Sequence, residues 1–197
     1  VKILARLNSM TALQSDAYAM MDKAFGFLDR RMAEEVADLK KQEKKGTKHL
    51  APSETACNYL YAKALTGRKE THDDAYLIGL LEKMPADLTI YGKAGTAVIL
   101  AQYGRMQKAR EALQSINEYS VYKEEMGRYF DTRKARYSWC DYRIPTQVAA
   151  IEAMKRLNTD RKTIEEMQRW LLQEKRTTSW DTPLNATDAV YAFLTDN

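Results

Sequence analysis

Ser53-Glu54-Thr55-Ala56-Cys57-Asn58-Tyr59-Leu60, Ala94-Gly95-Thr96-Ala97-Val98-Ile99-Leu100, Pro145-Thr146-Gln147-Val148-Ala149-Ala150-Ile151 and Ala186-Thr187-Asp188-Ala189-Val190-Tyr191-Ala192-Phe193-Leu194 read as four copies of one segment. Their threonines stand at 55, 96, 146 and 187, so the steps are 41, 50 and 41 residues. Each copy opens an apolar helix, and a more charged helix lies between successive copies. A helix-hairpin repeat of this kind fixes architecture before any single residue is considered.

The alternation extends along the chain. The stretches 52–66, 88–103, 144–157 and 184–195 are short of charge, as inner helices touched on several sides would be. The stretches 15–43, 71–84, 105–118 and 160–175 each carry a charged face, as outer helices facing water would. The apolar positions Met21, Ala24, Leu28, Met32, Val36 and Leu39 recur three or four apart and predict the buried stripe of the first outer helix. Leu77, Leu80, Leu81 and Met84 predict the second stripe, with Thr71 as cap and Asp73 and Asp74 in the first turn, where the helix dipole favours them. Met106, Ala109, Leu113 and Ile116 predict the third. Ile164, Met167, Trp170 and Leu171 predict the fourth, capped by Asp160. Gly92 and Gly95 each cost about 1 kcal/mol relative to alanine inside a helix, which predicts close approach of a neighbouring helix there. Residues 120–144, rich in tyrosine and charge, break the rhythm and are expected to form a long loop packing its aromatic rings over a helix end. Residues 1–8 read as the tail of a helix, and the chain opens as if cut from within a longer protein.

Composition bounds the rest. The 45% apolar and 29% charged content is that of a globular protein, and eight glycines and four prolines are few enough to favour long helices. We expect a single all-α domain over residues 1–197, with two concentric helix layers. Such layers make either an α/α toroid or a curved solenoid, and the repeat step lies near the length of HEAT-type units. The net charge of +4 is mild. The clusters Lys40-Lys41, Lys44-Lys45 and Lys48, and Arg133-Lys134-Arg136, read as a solvated helix end and a solvated loop, so no nucleic-acid partner is expected. No apolar run is long enough to span a bilayer, so no membrane insertion is expected. Cys57 and Cys140 have no metal-ligand spacing, and Cys57, in an apolar helix, reads as a free thiol.

Specific segments then carry a resemblance. Lys23-Ala24-Phe25-Gly26-Phe27-Leu28-Asp29-Arg30 resembles an outer helix of bacterial α2-macroglobulin-like proteins. Trp170-Leu171-Leu172-Gln173 through Trp180-Asp181-Thr182, followed by Ala186-Thr187-Asp188-Ala189-Val190-Tyr191-Ala192, is similar to a later segment of the same family. Trp139 followed by Pro145-Thr146-Gln147-Val148-Ala149 is similar to the inner-helix entry that precedes it. The resemblance covers the chain from about residue 20 onward. It implies the thioester domain of that family, an α/α toroid related in fold to terpenoid cyclases, of which this chain would be the C-terminal part. It further implies a protease-trapping protein outside the cytoplasm, in the periplasm or cell envelope. The partners implied are the other domains of the parent chain and trapped proteases.

The family's covalent chemistry needs a cysteine with a glutamine three residues on. Cys57 is followed by Asn58-Tyr59-Leu60 and Cys140 by Asp141-Tyr142-Arg143, so neither qualifies. No catalytic, cofactor-binding or metal-binding residue is therefore assigned, and a non-catalytic domain without cofactors is expected. Two alternatives stay open. One is an α/α-toroid enzyme acting on a carbohydrate or isoprenoid, with the aromatic stretch lining its cleft. Against it, His72-Asp73-Asp74 reads as a helix first turn, and His49 as a surface loop residue. The other is a helical-repeat scaffold binding a peptide or protein.

Overall fold

Phe25 decides how the long second helix seats. The computed structural model describes residues 1–83, 88–130, 143–177 and 182–194, which fall into two compact units, Val1–Asp87 and Leu88–Asn197. In the first unit α1 is Lys2–Met10, α2 Ser15–Lys44, α3 Glu54–Leu65 and α4 His72–Leu81. The stripe of α2 that is buried runs through Met21, Phe25, Met32, Val36 and Leu39. Phe25 takes the place expected of Ala24, which is half-buried along with Leu28. The larger ring wins the position because it meets Tyr59 edge-to-face at 6.3 Å, with the Arg68 guanidinium 4.3 Å from its centroid.

The turn from α2 into α3 is pinned by side chains. Ser53 Oγ accepts from the Ala56 amide at 3.1 Å and caps α3, while its own N–H and hydroxyl donate to Glu35 at 2.8 and 2.7 Å. From Tyr59 to Leu65 every residue of α3 is buried. α1 packs on α3 and α2 on α4, so alternate helices pair. The charged outer face expected of 71–84 is not what α4 has. Leu77, Ile78, Leu80 and Leu81 are buried, and its charges are confined to the first turn. Those charges serve the cap, leaving the rest of the helix apolar; Met84 lies outside the described residues.

In the second unit α5 is Ile90–Gln102, α6 Met106–Asn117, α7 Arg143–Arg156, α8 Arg161–Thr177 and α9 Pro183–Leu194. Every residue of α7 from Ile144 to Met154 is buried. It packs against α5, α8 and α9, so three of the helices that carry the repeated segment stand in a row with α7 in the middle. The more charged helices α6 and α8 cover α5 and α7 in turn. α6 buries Ala109, Ala112, Leu113 and Ile116, and α8 buries Met167, Trp170 and Leu171, close to the predicted stripes. The chain stops four helices by one device. A left-handed residue at Gly46, Gly67, Gly104 or Asn158 turns the next amide back to a carbonyl five residues earlier. Gly92 does not meet a neighbouring helix; a side chain there would press on Leu88 and Thr89, both at 3.3 Å.

The first part of the 120–144 stretch is not a loop over a helix end. β1 (Ser120–Lys123) and β2 (Gly127–Phe130) form an antiparallel hairpin in which Ser120 faces Phe130 and Lys123 faces Gly127. β2 lies against α8, with Tyr129 stacked on Trp170 at 6.0 Å and Phe130 buried. Gly127 makes this approach possible. Its φ is +84°, and a Cβ there would lie 2.3 Å from the Glu166 carbonyl oxygen. Tyr137, Trp139 and Tyr142 fall outside the described residues. All-α is thus the right class for the described residues, with nine helices and one two-stranded sheet. Gly127→Ala adds both a left-handed alanine and a collision with backbone, and is expected to cost about 3 kcal/mol. Urea unfolding checks this; a loss below about 0.5 kcal/mol would mean the hairpin does not sit on α8 as described.

Candidate functional site

Lys63 is the one cation within an otherwise apolar helix, and a buried ammonium is tolerable only when paired and hydrogen-bonded. Its Nζ donates to the Tyr59 hydroxyl at 2.9 Å, one turn earlier, and forms an ion pair with Asp74. Asp29 Oδ1 lies 3.8 Å from the same nitrogen and accepts from the Tyr59 hydroxyl at 2.5 Å. Asp74 in turn closes a capping box on α4. Its Oδ2 accepts the Thr71 amide at 2.7 Å, while its own amide donates to Thr71 Oγ1 at 3.2 Å. One charge network therefore ties α2, α3 and α4. Burial, followed by the hydrogen bond to Asp29 and the charge of Asp74, pushes the Tyr59 phenol well above its ordinary range and keeps it a donor.

A lysine, a tyrosine and two aspartates are the ingredients of proton transfer. Here Lys63 is 4% exposed and Asp74 0%, and Lys63 Nζ and Asp74 Oδ2 are taken up in joining helices. Asp74 Oδ1 is buried without a hydrogen bond among the described residues. Only Asp29 opens to solvent, its side chain 47% exposed. The geometry is that of a staple rather than of a reacting centre.

The second unit repeats the logic on α7. Glu152 Oε1 accepts from Arg156 at 2.6 Å and Oε2 from the Tyr191 hydroxyl at 2.8 Å, and Arg156 reaches on to Gln102 at 2.5 Å. One carboxylate thus links α5, α7 and α9. Gln147 donates to the carbonyls of Arg128 and Met167 at 2.8 and 3.1 Å, joining α7 to β2 and α8. Arg128 crosses the hairpin to Ser120 at 3.1 Å and pairs with Glu166 at 3.0 Å. Lys155 and Gln168 both donate to the Ala192 carbonyl, at 2.9 and 2.8 Å, and so satisfy an orphan acceptor in the last turn of α9.

The residues singled out in the sequence are dispersed. His49 is exposed with φ 61° in the loop before α3, and His72 is exposed at the start of α4. Cys57 is a free, half-buried thiol on α3, and Cys140 lies outside the described residues. Burial and then the carboxylates of Glu35 and Glu54 raise the Cys57 thiol to about 11. Of the first-turn aspartates only Asp74 enters a cluster. Tyr59, Lys63 and Glu152 are not picked out by any motif. Their signal is simpler: an ionisable residue standing alone in an apolar helix, with Tyr59 and Lys63 one turn apart.

Among the described residues no group of three or more histidine, cysteine, aspartate or glutamate side chains could hold a metal ion, and no helix is long and apolar enough to cross a membrane. No family model, curated protein or solved structure matches the chain.

Two expectations follow. Lys63→Met leaves Asp74 buried without its cation and is expected to cost about 3–5 kcal/mol in a denaturant titration. Changing both residues to apolar ones of similar volume should recover most of that loss, and a K63M loss under about 1 kcal/mol would contradict the staple. For Cys57, the raised thiol keeps the nucleophilic thiolate scarce at neutral pH. Alkylation of its peptide, followed by mass spectrometry, should accelerate about tenfold per pH unit from 7 up to about 11. A rate that levels off near pH 8.5 would show an unperturbed thiol.

Proposed function

We propose that this chain is a helical domain of an α2-macroglobulin-like, protease-trapping protein of the cell envelope, part of an α/α toroid, acting by fold and interface rather than by local catalysis. The observation that carries the proposal is the row α5–α7–α9 with α6 and α8 over it, the inner-and-outer alternation that the resemblance implies. It is supported by the order of the matching segments in sequence, from Lys23-Ala24-Phe25 to Ala186-Thr187-Asp188. The polar side chains that could serve as acids or bases are committed to joining helices: Lys63 and Asp74 in the first unit, Glu152 and Arg156 in the second. Neither cysteine has a glutamine three residues on, so trapping by this region is physical and forms no acyl bond.

Trapping of this kind encloses a protease without blocking its active site. The native protein that contains this chain, mixed in slight excess with an active endoprotease, is therefore expected to co-elute with it on size exclusion. The complex should still cleave a small chromogenic peptide while cleavage of a large protein substrate falls about tenfold or more. Undiminished cleavage of the large substrate, or absence of co-elution, overturns the reading.

A further inference from the structure

A local charge excess stands at the end of α2, apart from the cluster Arg133-Lys134-Arg136, which lies outside the described residues. Between residues 40 and 48, Lys40, Lys41, Lys44, Lys45 and Lys48 face only Glu43, an excess equal to the whole net charge of +4. Cations and carboxylates balance over the remainder. The cluster occupies the last turn of α2 and the loop beyond it. Lys41 bonds Asp38 at 3.0 Å, and Lys40 lies 5.1 Å over the Tyr76 ring. Lys44, Lys45 and Lys48 are exposed and have no carboxylate within ion-pair distance among the described residues.

Helix capping does not account for them. Three of the last four carbonyls are already met by backbone amides, Gly46 to Glu43 at 2.9 Å, Thr47 to Gln42 at 3.1 Å and Lys45 to Lys41 at 3.2 Å. The helix dipole favours a cation in the last turn, but its influence fades within that turn and Lys48 stands outside it. Elsewhere on α2 Arg31 pairs with Glu34, while Lys23 and Arg30, exposed and without an ion pair among the described residues, stand singly, each next in sequence to an aspartate, Asp22 and Asp29. These lysines thus form a patch of exposed point charges at the end of α2 and in the loop beyond it.

We infer that this lysine tip of α2 binds the anionic headgroup surface of a lipid bilayer, peripherally and without insertion. The composition selects that partner. A fluid plane of phosphates asks for point charges rather than for geometry, and a cluster of four to eight lysines or arginines on an amphipathic helix, as α2 is, reads as binding it. The cluster has no arginine, whose planar fork serves paired phosphate recognition. It also lacks an open aromatic platform for stacking bases, since Tyr76 lies beneath Lys40 and bonds Glu43 through its hydroxyl at 3.2 Å. The inference stands independently of the proposed function.

Vesicle co-sedimentation tests it, with neutral phosphatidylcholine vesicles compared against vesicles containing about a third phosphatidylglycerol. The protein should partition onto the anionic vesicles at low salt and leave them as salt approaches about 0.5 M, where screening is nearly complete at molecular distances. Each lysine held at the surface is worth about fivefold in partitioning, so K44Q/K45Q/K48Q should lose about a hundredfold and K44E/K45E/K48E more. These positions are exposed, and circular dichroism with thermal unfolding would verify that both variants keep the fold. Equal partitioning onto neutral vesicles, an unchanged triple variant, or indifference to salt overturns the inference. So does retention of duplex DNA in a gel shift that is tighter than vesicle binding at the same salt.

Discussion

A helix that is covered on every side cannot send a charge to water. That constraint governs both units. α7 is buried from Ile144 to Met154, and α3 from Tyr59 to Leu65. An ion on such a helix has only two stable outcomes, removal or full pairing, because an uncompensated charge in low dielectric costs several kcal/mol. Each helix keeps an ion at its centre. Lys63 is paired with Asp74 and bonded to Tyr59, and Glu152 is shared between Arg156 and Tyr191. In each case one partner comes from another helix, Asp74 on α4 and Tyr191 on α9, and the partner on the same helix reaches a third, Tyr59 to Asp29 on α2 and Arg156 to Gln102 on α5, so the need to satisfy one charge becomes a constraint on where three helices stand.

This also explains why specificity resides in these clusters rather than in the apolar core. Leucine, isoleucine and alanine faces slide past one another at modest cost, since methyl groups accept many packings. A carboxylate with two hydrogen bonds does not slide. If α9 shifted by a turn, about 5.4 Å, Glu152 would lose Tyr191, and Lys155 and Gln168 would lose the Ala192 carbonyl together. The hairpin is held in the same manner. Gln147 takes hold of one carbonyl on β2 and one on α8, and Gly127 permits the backbone contact that makes both reachable.

Much of the helical frame was legible in the sequence because its signals are local. Ser53, Thr71 and Asp160 cap helices where a short hydroxyl or carboxylate marks the start in the sequence. Gly46, Gly67 and Gly104 close them. The stripes of α6 and α8 follow from a period of 3.6. What was not legible depends on contacts distant in sequence. Nothing near residues 120–130 announces strands, since Tyr122-Lys123-Glu124-Glu125 is as polar as any loop; the hairpin exists because β2 finds Trp170 and the Glu166 carbonyl. α4 misleads for a related reason. Asp73 and Asp74 suggest an outward charged face, but Asp74 points inward to Lys63, and that pairing was invisible without knowing that α3 would be buried. Phe25 displaced Ala24 because Tyr59 and Arg68 offered it a site that only the folded chain contains.

The same constraint bears on what the protein does. Side chains able to shuttle protons are abundant here, but the buried ones already hold helices together, and using them for chemistry would mean breaking the bonds that place them. Lys63 cannot accept a substrate without releasing Asp74, which would leave a carboxylate at 0% exposure without its counter-ion. The proposed function is accordingly one exercised through surfaces. On α2 the surface charges are mostly paired until Lys44, after which Lys44, Lys45 and Lys48 extend into solvent beyond a helix end that the backbone has already capped. A fold that spends its interior ions on its own geometry leaves its exposed, uncompensated ones as the groups free to meet another body, which is why the lysine tip, and not the buried Lys–Tyr–Asp cluster, is the place to look for contact.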